Sequence, residues 1–276
     1  MNITDWLKAA ANQLQNIGID SAKLDAQLLL AHTLQQSKTW LITHGDEMLA
    51  NNTLAAANTL LARRLEREPI AYILGYKEFY RRQFTVTPDV LIPRPETETL
   101  IELVGQLSPA SGDTVLDIGT GSGAIAITVA KEWPELTVIA SDVSPAALKV
   151  AKRNAAQLDT QHISFFQSDL CEQLPPLRAR FIIANLPYVN TAWNVSPETA
   201  FEPQQALFAE HHGLELIYQL IEQAPAHLTP KGYLLLEADP EQHAAISAYG
   251  REHGFLTTKV QDYSIVLQHT DKTLVS

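Results

Sequence analysis

Residues 114–123 read Thr114-Val115-Leu116-Asp117-Ile118-Gly119-Thr120-Gly121-Ser122-Gly123, and the apolar stretch Ala124-Ile125-Ala126-Ile127-Thr128-Val129-Ala130 follows at once. A short β-branched run that breaks into three closely spaced glycines and then into helical apolar sequence reads as a strand, a tight turn and the start of a helix. Outward from it the alternation repeats. Strand-like runs occupy 137–142 (TVIASD), 163–169 (ISFFQSD), 181–187 (FIIANLP) and 233–238 (YLLLEA), with helical sequence from Ser144–Pro145 onward and over Leu214–Leu228. Ser144 before Pro145 is an N-cap followed by a proline at the first helical position. Such alternation predicts an open, mainly parallel sheet with helices on both faces. The stretch 255–268 (FLTTKVQDYSIVLQ) reads as two strands separated by Asp262–Tyr263, an antiparallel finish.

Upstream the character differs. From Thr4 to about Arg67 apolar residues recur at helical spacing, as at Leu24, Ala26 and Leu28 to Leu30, without strand-like alternation. Between Gly75 and Pro95 aromatic and β-branched residues (Phe79, Tyr80, Phe84, Val86, Val90, Ile92) are broken by Pro88, which reads as a hairpin and linker. The predicted organisation is a helical domain over 1–74, a β-hairpin linker over 75–95 and an α/β domain over 96–276. A chain of 276 residues with 46% apolar content has length and core material for that, at about 100–200 residues per domain.

The start, MNITDWLKAA, carries neither a basic segment followed by an apolar block nor an 18-residue apolar run, so a cytoplasmic protein is expected. A single cysteine, Cys171, makes no internal disulfide, and no Cys/His cluster has metal-ligand spacing, the adjacent His211 and His212 included. No metal is expected. The net charge of −11 is uneven: residues 1–100 carry 10 Lys/Arg against 11 Asp/Glu, and residues 101–276 carry 10 against 20. An acidic surface repels a phosphate backbone, which argues against direct nucleic-acid binding and for a small or basic partner.

In sheets of this kind ligands bind beyond the carboxyl ends of the strands. The glycines of 119–123 let the backbone approach a cofactor that a Cβ would exclude. The spacing alone also suits a dinucleotide, since Ala124 completes G-x-G-x-x-A. Asp117 tips the reading: it would repel a pyrophosphate but could sit near the ammonium of a methionine moiety, which points to S-adenosylmethionine. The loop residues Gly119, Thr120, Gly121, Ser122 and Gly123 are its candidate cradle. Asp142, at the end of the second strand, suits the ribose hydroxyls. Asp169 and Leu170, after the third, suit an adenine amino group and ring, although either acid could instead cap a helix.

Asn185-Leu186-Pro187-Tyr188 ends the fourth strand. Methylation of a planar NH₂ group requires both hydrogens to be held by acceptors, so that the nitrogen lone pair faces the methyl donor. The side-chain oxygen of Asn185 and the main-chain carbonyl of Leu186 are candidate acceptors; Pro187 keeps the segment extended and Tyr188 offers an aromatic face. The chemistry fits an amide or an exocyclic amine and requires no strong general base.

These residues resemble the peptide-chain release factor glutamine N5-methyltransferases, a family of S-adenosylmethionine-dependent enzymes. The resemblance extends to Arg67-Glu68-Pro69-Ile70-Ala71-Tyr72-Ile73-Leu74-Gly75, Glu78-Phe79, Leu91-Ile92-Pro93-Arg94-Pro95-Glu96-Thr97-Glu98, Phe201-Glu202-Pro203 and Ala206-Leu207. It implies a Rossmann-like seven-stranded methyltransferase sheet, a helical N-terminal domain that recognises the release factor, and as substrate the glutamine of the Gly-Gly-Gln loop in class I release factors. Cofactor contacts are implied at Gly119 to Gly123, Asp142, Leu170 and Asn185, and substrate contacts at Asn185 to Tyr188.

The chain departs from that family at three places. Leu186 stands where proline is usual, and Asn-Leu-Pro-Tyr is also similar to the motif of rRNA adenine dimethyltransferases. With the cluster Arg63, Arg64, Arg67, Lys77, Arg81 and Arg82, that keeps adenine N6-methylation of RNA or DNA as the alternative. Glu237-Ala238-Asp239 replaces a common Glu-His-Gly, and Asp262-Tyr263-Ser264-Ile265-Val266 is shorter than that family's last hairpin and lacks its usual basic residue. Arg94 and Glu96 could touch the active site or form a linker salt bridge.

Overall fold

A computed structural model describes residues 1–190 and 192–270 of the chain. Residues 1–76, together with Ser196–Phe201, form one compact unit, and residues 77–195 with 202 onward form a second.

The first unit is built from helices Ile3–Asn16, Ala22–Leu34, Lys38–Thr43, Asn51–Leu65 and Ile70–Leu74. Two begin on side-chain caps: Asn2 accepts from the Asp5 N–H and Ser37 from the Trp40 N–H, each satisfying a backbone donor that the helix leaves free. The buried faces meet in a core of Trp6, Leu14, Leu29, Leu30, Leu41, Ala57 and Leu61, with the Trp6 indole N–H donated to Asn58 at 2.8 Å.

One ion pair lies inside this core. Arg64 Nε donates to Asp25 Oδ2 at 2.7 Å, and both side chains are almost fully buried. Arg64 also donates to Glu198 at 3.1 Å, and Arg67 reaches the same oxygen at 3.0 Å. Glu198 belongs to the short 3-10 turn Pro197–Phe201, so these arginines hold into the helical unit a segment that the sequence reading had placed with the α/β domain. Partial burial opposes the Glu198 charge. Hydrogen bonds from Ser196 and Arg64 outweigh it and hold the carboxyl down to about 2.

The second unit opens with a hairpin, β1 (Tyr76–Phe79) and β2 (Arg82–Thr85). Tyr80 and Arg81 between them both have positive φ, 46° and 61°, the two-residue turn whose twist matches that of the flanking strands. The large sheet comprises β3 (Thr114–Ile118), β4 (Thr137–Asp142), β5 (Ser164–Gln167) and β6 (Ala179–Ala184). Two short strands, β7 (Val189–Asn190) and β8 (Phe208–Ala209), pair apart from it; β9 (Leu228–Glu237), β10 (Phe255–Gln261) and β11 (Ser264–His269) complete it.

The order is β10-β11-β9-β6-β3-β4-β5, parallel from β9 through β5, with β11 antiparallel to both its neighbours. This is the mainly parallel sheet that the strand alternation predicts, antiparallel finish included, with the seven strands that the resemblance implies. Both faces are apolar, which is why the strands read as continuous runs. Phe181, Ile183, Leu235 and Val266 enter one core with helices Glu98–Gln106 and Ala124–Glu132, while Ile182, Ala184, Leu234, Leu236, Ile265 and Leu267 enter the other with helix Glu215–His227. Ser144 caps helix Pro145–Gln157 by accepting from the Ala147 N–H, as its sequence indicates.

Removing one partner of a buried ion pair leaves the other charge poorly compensated. Asp25→Ala is therefore expected to destabilise the full-length protein by on the order of 3 kcal/mol, read as a lower urea midpoint.

Candidate active site

β3 and β6 lie side by side and parallel, with Ile118 opposite Ala184. From β3 the chain winds outward through β4 and β5; from β6 it winds the opposite way toward β9. The two connections diverge and leave a crevice beyond the strand ends, the switch point at which such sheets bind ligands. The glycine loop enters it from β3 and Asn185-Leu186-Pro187 from β6. A solvent-open cleft of about 1030 Å³ runs there, bordered also by Asp89–Leu91, Pro93, Arg94, Thr97 and Pro203.

The loop is tightly pinned. Thr120 N–H donates to the Ser141 carbonyl at 2.9 Å, Gly121 N–H to Asp142 Oδ2 at 2.8 Å, and Asn154 donates to the Ser122 carbonyl at 2.8 Å. Two glycines are required for different reasons. At Gly121, φ is +54° and an added Cβ would meet nothing within 4 Å, so the backbone itself faces open space. At Gly119, φ is +72° and a Cβ would stand 3.1 Å from Leu186 Cδ2, so the glycine admits the close approach of the two loops.

Of the residues singled out in the sequence, Gly119, Thr120, Gly121, Ser122, Asp142, Asp169, Leu170, Asn185, Leu186 and Pro187 line this cleft. Asp142 accepts from Gly121 N–H and, at 2.9 Å, from Ser144 N–H, while each oxygen keeps a lone pair for a ligand hydroxyl. Burial pushes its carboxyl up, against those two bonds. Asp142 thus both ties down a loop and faces the cleft.

Asp117, Gly123 and Tyr188 do not line the cleft. Asp117 is fully buried on the face of β3 that packs on helix Ala124–Glu132; its Oδ2 accepts from the Thr120 hydroxyl at 2.6 Å and the Ala126 N–H at 3.1 Å. It braces the glycine loop from beneath; the sequence reading had placed it near a methionine ammonium, directly or through water. Gly123 starts that helix with φ +83°, and its Cβ would lie 2.8 Å from Ile127 Cδ1. Tyr188 turns into the protein and donates its hydroxyl to Glu237 at 3.0 Å. Its carbonyl is held by Gln242 Nε2 at 2.9 Å.

Several neighbours carried no role in the sequence reading. Thr97 accepts from Asn185 Nδ2 at 3.0 Å. Glu202, almost fully buried, accepts from the Ile92 N–H at 3.1 Å and from Arg94 at 2.5 Å, fixing the 91–94 segment along the cleft. Arg94 accordingly fills both roles left open for it, at the cleft and in a salt bridge. Glu237 carries the legible signal of these: a carboxylate within the apolar run of a central strand must have partners.

Residues 5–75 match the PrmC N-terminal domain family, and residues 97–202 the methyltransferase small domain family. The release factor glutamine methyltransferase of Vibrio cholerae is 39% identical over 263 residues, covering 94% of this chain and 92% of its own. The chain belongs to the release factor glutamine methyltransferase family. The Neisseria gonorrhoeae release factor glutamine methyltransferase is 43% identical over 239 residues, 84% of this chain and 86% of that one. Among solved structures, a ribosomal protein L11 methylase from Lactobacillus delbrueckii subsp. bulgaricus matches with a TM-score of 0.51 at 22% identity, over 71% of this chain and 91% of its own. The T. thermophilus 16S rRNA N2 G1207 methyltransferase, in complex with AdoMet and guanosine, matches with a TM-score of 0.54 at 20% identity, over 71% of this chain and 50% of that one. Both share the fold of the second unit's sheet.

Burial raises the Asp117 carboxyl from an ordinary 3.8 to about 7, against its hydrogen bonds from Thr120 and Ala126. Across that window the folded enzyme keeps a proton that the unfolded chain releases, so this group's contribution to stability declines as pH rises. The thermal midpoint of the parent enzyme is expected to fall relative to that of Asp117→Asn between about pH 4 and pH 7.

Proposed function

We propose that this enzyme methylates the N5 side-chain amide nitrogen of a glutamine in a release factor, the glutamine of the Gly-Gly-Gln motif in class I release factors, using S-adenosylmethionine. Membership of the family over nearly the whole chain supports the substrate class, and the presentation of Asn185 at the cleft supports the chemistry.

The residues present suit the cofactor. The bare backbone at Gly121 admits it without a Cβ in the way, Asp142 has lone pairs for vicinal hydroxyls, and Leu170 gives an apolar wall beside Asp169. When bound, S-adenosylmethionine supplies an electrophilic methyl group on a sulfonium sulfur. Asn185 Oδ1 and the Leu186 carbonyl each accept one hydrogen of the glutamine NH₂, which orients the nitrogen and polarises its N–H bonds. Tyr188 does not serve as a base: burial first, and then the adjacent Glu237, push its phenol far above its ordinary value. Catalysis rests on alignment.

Four of the six arginine and lysine residues behind the nucleic-acid alternative are bound to carboxylates: Arg63 to Glu68, Arg64 to Asp25 and Glu198, Arg67 to Glu198, and Arg82 to Glu132. That favours the protein substrate.

Incubation of a class I release factor with the enzyme and S-adenosylmethionine is expected to add one methyl to the Gly-Gly-Gln peptide, read by mass spectrometry. Asn185→Ala is expected to lower kcat by about 10²–10³ while thermal unfolding stays close to the parent's. Methylation of a structured RNA in place of the release factor would overturn the reading.

A further inference from the structure

An asparagine side chain has an acceptor end and a donor end of nearly the same shape, and exchanging them inverts what it offers a substrate. At Asn185 that choice decides whether the cleft presents an oxygen or an NH₂ group. Asn185 Nδ2 donates to Thr97 Oγ1 at 3.0 Å. A hydroxyl can accept or donate, so Thr97 alone does not fix the orientation.

Glu237 fixes it. Ala184 and Leu236 are register partners on β6 and β9, so Asn185 and Glu237 follow side by side at the ends of their strands. Glu237 is 1% exposed, and its Oε1 receives the Tyr188 hydroxyl at 3.0 Å; among the described residues Oε2 has no hydrogen-bond partner of its own. Burial drives the carboxyl toward its neutral form, and the side chains of Thr97, Tyr188 and Asn185 act against that by stabilising the charge. In its charged form the group only accepts, and Oε1 accepts from Tyr188 in either form. Beside Asn185 at the paired strand ends, a buried acceptor of this kind favours the N–H end of the amide over its oxygen end. Reversing the amide would turn Asn185 Oδ1 toward a carboxylate that presents no proton to it.

We infer that Glu237 and Thr97 are positioning residues that hold the Nδ2 end of Asn185 inward and so present its Oδ1 to the substrate. The inference rests on the reading that Asn185 accepts a hydrogen from the substrate amide. Polarity runs one way through the site: Asn185 donates to Thr97, and Tyr188 donates to Glu237. The buried carboxylate at the end of β9 thereby sets the acceptor at the end of β6 without touching the substrate.

The full-length protein tests this with Glu237→Gln, which keeps the shape and adds a donor, Thr97→Val, which keeps the shape and removes the hydroxyl, and Thr97→Ser, which restores it. Glu237→Gln and Thr97→Val are expected to lose about 100-fold in kcat on a Gly-Gly-Gln peptide, with KM for S-adenosylmethionine within about threefold of the parent's. Thr97→Ser is expected to recover activity to within about threefold of the parent. Independently of activity, the Asn185 side-chain NH₂ protons are expected to exchange slowly with solvent by NMR in the parent and in Thr97→Ser, and fast in Thr97→Val. Parental kcat in Glu237→Gln, equal impairment of Thr97→Ser and Thr97→Val, or fast exchange in the parent would each overturn the inference. A parent that leaves the peptide unmethylated yet protects those protons would overturn the proposed substrate and leave the orientation standing.

Discussion

The candidate site depends on the parallel pairing of β3 with β6 and on what the chain does beyond it. Because the two strands end together and their connections turn in opposite directions, the backbone cannot cover the gap between Gly119 and Asn185. A crevice is therefore built into the topology before any side chain is considered. What the sequence adds is closeness. Without a Cβ at position 119 the glycine loop settles against Leu186, and without one at 121 the backbone lies bare to the cleft. The site is a gap made by strand order and lined by residues chosen for what they leave out.

The polar groups around this gap fall into two sets with different energetics. Asp117 and Glu237 lie behind the cleft, buried, each with one oxygen lacking a partner among the described residues. Their desolvation is a standing cost that hydrogen bonds only partly offset, so both carboxyls are pushed up. Each fixes a loop that forms a wall: Asp117 the glycine turn through Thr120 and Ala126, Glu237 the Asn185–Tyr188 segment through Tyr188. Asp142 and Asp169 face the cleft itself. The two carboxylates buried behind the cleft act as supports, and the two that border it stay open to a ligand.

That division explains what was legible in the sequence. Strand alternation, the N-cap at Ser144 and the antiparallel finish follow from local periodicity and turn chemistry, and each appears in the structure. The cleft residues read from the motifs, Gly119 to Ser122, Asp142, Asp169, Leu170 and Asn185 to Pro187, were legible because they sit at strand ends, where topology carries them to one place. Thr97 and Glu237 were not given roles because they meet Asn185 only through folding, across 88 residues for the Thr97 bond. The bracing role of Asp117 was hidden for a related reason. Its distance from the glycines along the chain says it is near the loop, while the pleat of β3 decides that it points beneath it. The packing of Ser196–Phe201 with the helical unit was equally hidden, since it depends on Arg64 and Arg67 meeting a carboxylate more than 130 positions away.

Leu186 shows why a departure at a motif position need not alter the chemistry. Its side chain is buried, with Cδ2 against the bare Cα of Gly119, so leucine serves there as packing between the two loops. The acceptor assigned to that position belongs to the main chain, which leucine and proline supply alike. Proline would restrict the backbone through its ring. Here the restriction is distributed: Pro187 fixes φ one residue later, Thr97 holds the Asn185 amide, and Gln242 together with the Tyr188–Glu237 hydrogen bond holds Tyr188. A segment pinned on both sides of position 186 has little conformational freedom left for a proline to remove.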